Sequence, residues 1–408
     1  MARIVAKFGG TSVADGEKIR NAARSIAKEV ERGNQVAVVV SAMGKTTNFL
    51  LESLETATNG EYTPQTKDDV AAMGERTSVR VMAAALNSVG VKSCYVEPTH
   101  KEWPVITNSR FVNATIDVEK TRERAKRFIG PMLEQGIVPV ICGFLGIDKM
   151  GNVTTIGRGG SDTTGVLMGY CLDADEVAIV TDVDGVFSGD PRVVDNARLI
   201  REIDTSVLWD LAVSGAKVLK WDALKFKGKN QVLKIVHNRH MDLRADGTIV
   251  KGDFMEFKVD RLKKPLGGVT LVGKNLIEYT GLLSTTSKIL GDAKINIWGV
   301  TVAPDSMTFF IDGESVEKGT KILHEFVLSD QKVLSITSTK DIGLVYVSSP
   351  DFLDEPGVLG KITGAIGEAG FNILEVTTSK SQIMVFVNYK NIDAVYEMMR
   401  LLFKENKK

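Results

Sequence analysis

The strongest constraint on the fold of this chain is the alternation of short apolar runs with amphipathic helical stretches over residues 1–190. Residues 36–40, 138–142 and 177–181 are nearly continuous apolar runs, typical of strands buried on both faces of a parallel sheet. Residues 17–31, 68–87, 118–135 and 162–171 instead carry apolar side chains at helical spacing. This alternation predicts an α/β fold with a largely parallel central sheet sandwiched by helices.

An internal repeat follows in the C-terminal part. At an offset of 76 residues, Gly281 matches Gly357 and Asn296 matches Asn372, with further identities between segments 281–301 and 357–377. Each copy reads as strands and two helices, which predicts a small α+β unit with helices on one face of an antiparallel sheet. A charged stretch with Pro and Gly at 263–268 precedes the first copy. We therefore predict domains at 1–262, 266–331 and 339–404.

Charge and cysteine content exclude several classes of protein. The 408 residues carry 51 Lys and Arg against 51 Asp and Glu, so no net charge attracts nucleic acid or an anionic membrane. Cys94, Cys142 and Cys171 are odd in number and far apart, which supports neither a disulfide framework nor a zinc site. Neither a signal-peptide pattern nor an apolar run near the ~20 residues of a membrane span is present. We expect a cytoplasmic protein that binds neither nucleic acid nor membrane.

Two glycine turns are candidate anion sites. KFGGTS at 7–12 and GRGGSD at 157–162 each precede a helix, and glycines let backbone N–H groups approach a phosphate closely. One such turn is more often plain structure, whereas two could hold a polyphosphate from both sides. The P-loop and dinucleotide motifs are absent, because Val39 and Asp162 occupy positions where those motifs need glycine.

Three further signals are weak when taken alone. Residues 181–192, TDVDGVFSGDPR, form a polar loop at the carboxyl end of a buried strand, where open α/β sheets bind ligands. A solvated turn explains that composition equally well. Lys217 follows a small-residue turn and Glu75 lies in an otherwise apolar helix, but spacing assigns a role to neither.

Six motifs, taken together and in this order, resemble those of the aspartate kinases within the amino acid kinase family. They are KFGGTSV at 7–13, VSAMG at 40–44, GFLG at 143–146, IGRGGSD at 156–162, TDVDGV at 181–186 with DPR at 190–192, and SGAKVL at 214–219. The repeat resembles the paired, ferredoxin-like ACT domains of that family. The resemblance implies ATP-dependent phosphorylation of the β-carboxylate of L-aspartate, the first step of lysine, threonine and methionine biosynthesis, with Mg²⁺ accompanying ATP.

The resemblance also implies site residues. The catalytic residues would be Lys7, Asp162 and Lys217, with Asp162 holding the catalytic lysine in place. The ATP site would comprise Gly9, Gly10, Gly159, Thr181, Asp182, Phe187, Arg192 and Lys217, with the three glycines as backbone donors. The aspartate pocket would comprise Ser41, Thr47, Glu75, Arg158 and Ser161. Within it, Arg158 would pair with the α-carboxylate and Glu75 with the α-ammonium of aspartate.

The ACT resemblance implies regulation by an amino acid, lysine or threonine, in a homodimer or a higher homo-oligomer. In each copy of the repeat a glycine precedes the helix and an asparagine follows 15 residues later. We expect both near one end of the sheet, where the Asn amide could bind the effector. The corresponding candidate positions are Gly281, Asn296, Gly357 and Asn372.

Other functions remain open at this point. One is a related kinase that acts on acetylglutamate, carbamate or a nucleoside monophosphate, and another is a catalytically inactive amino-acid sensor. The chemistry agrees with a carboxylate acceptor, which is already ionised at neutral pH and needs no general base. The chain departs from the family pattern at Phe187, where Tyr is usual, at Lys220-Trp221, where His-Pro is common, and at His237.

Overall fold

The computed structural model describes residues 1–157, 159–216, 218–254, 257–349, 352, 356–379 and 381–404. The chain divides into two units, Met1–Met255 and Glu256–Lys408. The predicted functional residues Arg158 and Lys217 lie outside the described residues.

The first unit alternates strands with helices, as the apolar pattern predicts. Its strands are β1 (Arg3–Phe8), β2 (Gln35–Val40), β3 (Ser93–Val96), β4 (Val138–Cys142), β5 (Leu145–Ile147), β6 (Val153–Thr155), β7 (Glu176–Thr181), β8 (Val186–Phe187), β9 (Leu199–Ile200), β10 (Glu202–Asp204), β11 (Val232–His237) and β12 (Gly247–Lys251). Its α-helices are α1 (Gly16–Glu31), α2 (Thr46–Thr58), α3 (Pro64–Ser88), α4 (Val118–Arg124), α5 (Gly130–Glu134), α6 (Gly160–Cys171) and α7 (Thr205–Val213).

An eight-stranded sheet organises this unit in the order β10-β12-β11-β7-β1-β2-β4-β3. Central strand β1 pairs in parallel with both β2 and β7, and β12 runs antiparallel to β11. The predicted, largely parallel sheet is therefore confirmed. Because neighbouring parallel strands end at the same edge, the turns after β1, β2 and β7 lie side by side.

Local capping explains where several helices begin. The Asp15 side chain accepts a hydrogen bond from the Lys18 N–H at 2.9 Å, so α1 begins at Gly16. Thr63 caps α3 in the same way and Pro64 follows it, which starts this helix four residues before the predicted position. In the described part of the chain, no helix is long and apolar enough to cross a membrane.

The second unit contains both copies of the repeat. Its strands are β13 (Lys258–Arg261), β14 (Leu266–Gly273), β15 (Ile297–Ala303), β16 (Ser306–Asp312), β17 (Val333–Ser348), β18 (Ile373–Thr378) and β19 (Gln382–Asn388). Its α-helices are α8 (Leu282–Asp292), α9 (Val316–Ser329), α10 (Val358–Glu368) and α11 (Ile392–Lys404).

The two copies are interleaved rather than sequential. In the first copy, strands follow the order β15-β16-β14-β17, and in the second copy the order β17-β19-β18 continues from the far half of β17. The fourth strand of the second copy is β13, whose residues 258–261 pair antiparallel with residues 345–348 of β17. The predicted boundary at 262 thus differs from the structural division at 255/256, because β13 belongs to the second sheet.

Each copy has its own core between sheet and helices. Val259 of β13 packs with Val345 and Ile362 in one core, whereas Val269 and Leu323 belong to the other. On the opposite side of the sheet, the rings of Phe310 and Phe386 stack with centroids 4.2 Å apart. The β-strands therefore bury apolar side chains on both faces, and the α+β prediction for this unit is confirmed.

Candidate active site

The first component of the site is an ion pair at the end of β1. The buried ammonium of Lys7 bonds the carboxylate of Asp162, in the first turn of α6. Gly165 permits this close approach of helix and strand, because a Cβ there would lie 2.8 Å from Cβ of Lys7. Asp162 thus holds the Lys7 ammonium at the shared edge of the sheet.

The glycine turn after β1 contacts the ends of β7 and β2. The Gly9 N–H donates to the Val180 carbonyl at 3.0 Å, and its predicted role as a phosphate donor stays a prediction. This bond extends the pairing between β1 and β7 by one residue and aligns the turn with Thr181. A Cβ on Gly10 would lie 3.0 Å from the Ala42 carbonyl oxygen, so Gly10 permits close packing against the turn after β2.

The second glycine turn leads into α6. Gly159 has φ of +74°, a left-handed conformation that favours glycine, and its carbonyl accepts from the Asp162 N–H at 3.1 Å. A Cβ on Gly159 would lie 2.8 Å from Cδ of Lys220. The Lys220 N–H in turn donates to Oδ2 of Asp162 at 3.4 Å. The turn and Lys220 therefore pack together beside the Lys7–Asp162 pair.

A polar pocket lies beside this ion pair, at the turn after β2. The Ser41 hydroxyl bonds the Ser161 hydroxyl at 2.7 Å, and the Ala42 N–H donates to Oε1 of Glu75 at 3.1 Å. Thr47 lies next to Gly74, where a Cβ would be 2.8 Å from the Thr47 hydroxyl oxygen. The structure thus brings together four of the five residues predicted for the aspartate pocket, and the fifth is Arg158.

Glu75 is the most unusual group of this pocket. Its side chain lies in α3 and is 5% exposed, and its Oε2 has no hydrogen-bond partner among the described residues. Burial raises the pKa of this carboxyl to about 7, although the Ala42 N–H favours the ionised form. A buried carboxylate oxygen without a donor is suited to an ammonium group of a ligand.

An arginine cluster that the sequence did not reveal anchors the helix carrying Glu75. Arg76 and Arg80 both bond the buried Glu97 beyond β3, with nitrogen–oxygen distances of 2.8 and 2.6 Å. Burial raises the pKa of Glu97, but the hydrogen bonds from Arg76 and Arg80 outweigh it and lower the pKa to about 2. Glu97 lies 21 residues after Arg76 and 17 residues after Arg80, and no local sequence pattern predicts contacts over such separations.

The loop after β7 carries the predicted nucleotide residues. Thr181 and Asp182 come directly after Val180 of β7, whose carbonyl bonds the Gly9 turn at the end of the neighbouring strand β1. Phe187 lies in β8 and pairs with Leu199 of β9. The guanidinium group of Arg192 donates two hydrogen bonds to Asp190, at 3.0 and 2.8 Å, and the Arg192 backbone N–H donates a third at 3.0 Å. Thr181 and Asp182 thus lie at the same edge as Lys7, whereas Arg192 is exposed and already bonded to an acid.

A second unpredicted cluster fastens this loop to the segment after β11. Asp184 accepts from Arg239 at 2.6 Å and lies 3.1 Å from Nε2 of His240. Burial lowers the pKa of the neighbouring His237, whose Nδ1 accepts from the Arg239 N–H at 3.1 Å. These side chains position the loop and need no catalytic role to explain them.

In the second unit, the predicted pairing of glycine and asparagine is wrong. Gly281 follows β14 and lines a cavity of about 510 Å³ with Val302 and Met307. Asn296 precedes Ile297, which lies level with Gly267 at the start of β14. The helix between them separates the two residues, and in the second copy α10 likewise lies between Gly357, at its N-cap, and Asn372.

Comparisons with known proteins agree with this architecture. The model of the amino acid kinase family matches residues 2–237, and an ACT domain model matches residues 337–400. An aspartokinase of Mycolicibacterium smegmatis is 32% identical over 418 residues, covering 99% of this chain and 96% of that protein. An aspartate kinase of Pseudomonas putida is 30% identical over 418 residues, covering 99% and 98%.

Solved structures show the same fold. Aspartate kinase from Synechocystis aligns with a TM-score of 0.78 at 24% identity, covering 98% of this chain and 69% of that one. Aspartokinase III of E. coli, solved with aspartate and ADP, aligns with a TM-score of 0.55 at 24% identity, covering 98% and 99%. With the family model and the curated relatives, this likeness leads to one assignment: the chain belongs to the aspartate kinases of the amino acid kinase family.

Proposed function

We propose that the chain transfers the γ-phosphoryl group of ATP to the β-carboxylate of L-aspartate, forming 4-phospho-L-aspartate. The observation that carries this proposal is the junction at the start of α6. Ser161 contacts the pocket that contains Ser41 and Glu75, and the adjacent Asp162 holds Lys7. An amino-acid pocket and a phosphate-directed ammonium therefore meet at consecutive residues.

The proposed chemistry follows from these side chains. Glu75 receives the substrate ammonium and the serines orient the substrate, whose β-carboxylate oxygen attacks the γ-phosphorus while the bond to the ADP oxygen breaks. The reaction needs no general base, since the carboxylate is ionised at neutral pH. The barrier is chiefly electrostatic, and a cation ~4 Å from an oxyanion contributes roughly 4 kcal/mol at an effective dielectric near ~20, before desolvation. Lys7, and by family resemblance Lys217, supply such cations.

ATP would bring Mg²⁺, which neutralises part of the triphosphate charge when bound. Phosphate oxygens and water hold most of such an ion, with one or two carboxylates. The exposed carboxylate of Asp182, at the end of β7, is a suitable oxygen ligand. Within the described ranges, no group of three or more His, Cys, Asp and Glu side chains could hold a metal ion by itself.

The second unit supports a regulatory proposal. We assign an amino-acid effector, lysine or threonine, to its ACT domains, and expect a homodimer or higher homo-oligomer located in the cytoplasm. The cavity beside Gly281 is the candidate effector pocket of the first copy. A panel of amino acids added to the kinase assay tests this regulation, and inhibition by none of them would refute it.

Hydroxylamine trapping tests the proposed activity. Acyl phosphates react with hydroxylamine to give hydroxamates, so the chain with Mg·ATP and L-aspartate should yield aspartyl hydroxamate. Acetylglutamate, carbamate and nucleoside monophosphates serve as competing acceptors, with ADP formation as the common readout. Activity with one of these but not with aspartate would identify a different kinase, and activity with none would favour an amino-acid sensor.

A further inference from the structure

Lys220 lies closer to the catalytic ion pair than its position in the sequence indicates. Its backbone N–H bonds Oδ2 of Asp162 at 3.4 Å, while Oδ1 of the same carboxylate bonds the Lys7 ammonium. The two lysines therefore flank one carboxylate, one through its side chain and the other through its backbone.

The Lys220 side chain then follows the second glycine turn. A Cβ on Gly159 would lie 2.8 to 3.1 Å from the Cβ, Cγ and Cδ atoms of Lys220, and a Cβ on Gly157 would lie 3.9 Å from its Nζ. The glycines leave space that the lysine stem fills. The ammonium is thereby carried along the turn to the start of α6, where the helix N-terminus favours an anion.

The ammonium is held near the turn but is not sequestered. Nζ of Lys220 lies 3.1 Å from Asp222, which also pairs with Lys225 at 3.3 Å. One carboxylate thus pairs with two ammonium groups. The side chains of Lys220 and Asp222 are 23% and 24% exposed, and such partly solvated pairs are weak enough to rearrange around a more highly charged anion.

We propose that Lys220 is a further phosphate-binding residue whose ammonium contacts the γ-phosphoryl oxygens of ATP, an inference that rests on the proposed kinase function. Ser161 faces the aspartate pocket through Ser41, whereas Asp162 faces Lys7 and Lys220. Lys220 therefore lies on the phosphate side of the helix start. It supplies an ammonium where the family pattern commonly has His-Pro.

Calorimetric titration of ATP and ADP without aspartate tests the contact independently of the phosphoryl acceptor. Lys220→Met should weaken ATP binding about tenfold or more and leave ADP binding within about twofold, because only ATP has the γ-phosphate. Lys225→Met is the matched control, since it removes the other ammonium paired with Asp222, and should change neither affinity by more than about twofold. Equal weakening of ATP and ADP by Lys220→Met would overturn the proposal.

Asp222→Asn separates ligand contact from a structural role. If Lys220 contacts phosphate, removing its counter-ion leaves ATP binding unchanged or tightens it. If the Lys220–Asp222 pair only supports the turn, Asp222→Asn weakens ATP binding as Lys220→Met does, and the proposal fails. In turnover, Lys220→Met should lower kcat/KM for ATP and change the KM for aspartate by no more than about threefold. Lys220→Arg should restore part of the lost kcat/KM. An effect confined to the KM for aspartate would also overturn the assignment.

Discussion

Replacing Glu75 with glutamine should weaken aspartate binding and remove its dependence on pH. The substitution keeps an oxygen that can accept the Ala42 N–H bond of 3.1 Å but removes the charge that would face the substrate ammonium. A charge-assisted hydrogen bond contributes about 1.5–3 kcal/mol, so the KM for aspartate should rise by about 10- to 150-fold. Because the γ-phosphoryl transfer itself does not use Glu75, kcat should change only a few-fold.

The pH dependence follows from the same carboxyl group. With a pKa of about 7 before aspartate binds, Glu75 must lose a proton to receive an ammonium. The wild-type KM for aspartate should therefore fall about tenfold between pH 6 and pH 8, whereas that of Glu75→Gln should stay flat. Glu52→Gln, at an exposed position of α2, is the control and should keep the wild-type profile. A flat wild-type profile, or the same slope in Glu75→Gln, would refute the role of Glu75.

The same shift predicts an effect on stability. Burial raises the folded-state pKa of Glu75 from 4.5 to about 7, so folding takes up a proton between these values. The favourable contribution is present below pH 4.5 and is lost as the pH rises through 7, for a total of about 3 kcal/mol. Glu75→Gln should thus become more stable relative to the wild type by about that amount from pH 4 to pH 8, as measured by urea unfolding without aspartate.

Three other substitutions test separate parts of the structure. Lys7→Ala should lower kcat by about 100-fold or more and change the KM for aspartate only a few-fold, because its ammonium acts on charge that develops during transfer; equal changes in both parameters would contradict this. Arg244→Ala leaves the buried Glu29 without its bonds of 3.1 and 3.0 Å and should lower the free energy of unfolding at pH 7 by about 2–4 kcal/mol. Burial raises the pKa of Glu29, but the hydrogen bonds from Arg244 and Asn34 outweigh it and lower this pKa below 4.5. The loss of stability in Arg244→Ala should therefore shrink as the pH falls through that lowered pKa. A loss of stability that is constant with pH would contradict the ion pair. Asn296→Ala should leave amino-acid inhibition within about twofold, since Asn296 lies at the far end of α8 from the Gly281 cavity, and complete relief would contradict that placement.

The regular elements of the first unit could be predicted because the local spacing of their apolar residues indicates which side chains are buried. The runs at 36–40, 138–142 and 177–181 became β2, β4 and β7, and the helical spacing at 17–31 became α1. The stretch at 118–135 reads as one helix, whereas the structure divides it at a π-helical turn over Ala125–Ile129. Periodicity is insensitive to such a local change in hydrogen bonding.

Features that depend on distant pairing could not be predicted. Strand β13 is four residues long, and its ladder with β17 and the packing of Val259 assign it to the second copy of the repeat. Glycine and asparagine are 15 residues apart in both copies, at Gly281 and Asn296 and at Gly357 and Asn372. This spacing does not show at which end of the sheet each residue lies. The intervening 11-residue helix rises about 16 Å and carries the chain to the other end of the sheet.

Within the site, the residues of the polar pocket could be predicted from the family resemblance, whereas the residues that support them could not. Motif matching indicated Ser41, Ser161 and Glu75, which the structure brings together. Glu97 and Lys220 were not predicted as parts of the site, because their roles depend on contacts with Arg76 and Asp162 from other segments. The bond from the Gly9 amide to Val180 was not predicted either, because it depends on strand register.

Chemical identification of the phosphorylated carboxyl group tests the proposed activity most directly. Borohydride reduces an acyl phosphate to the alcohol, so a product phosphorylated on the β-carboxylate of L-aspartate yields homoserine after reduction. Phosphorylation of the α-carboxylate would instead yield 3-amino-4-hydroxybutanoate. The proposed function predicts homoserine in amounts equal to the ADP formed, dependent on ATP and strongly reduced in Lys7→Ala; the isomeric alcohol, or ADP formed without either alcohol, would contradict it.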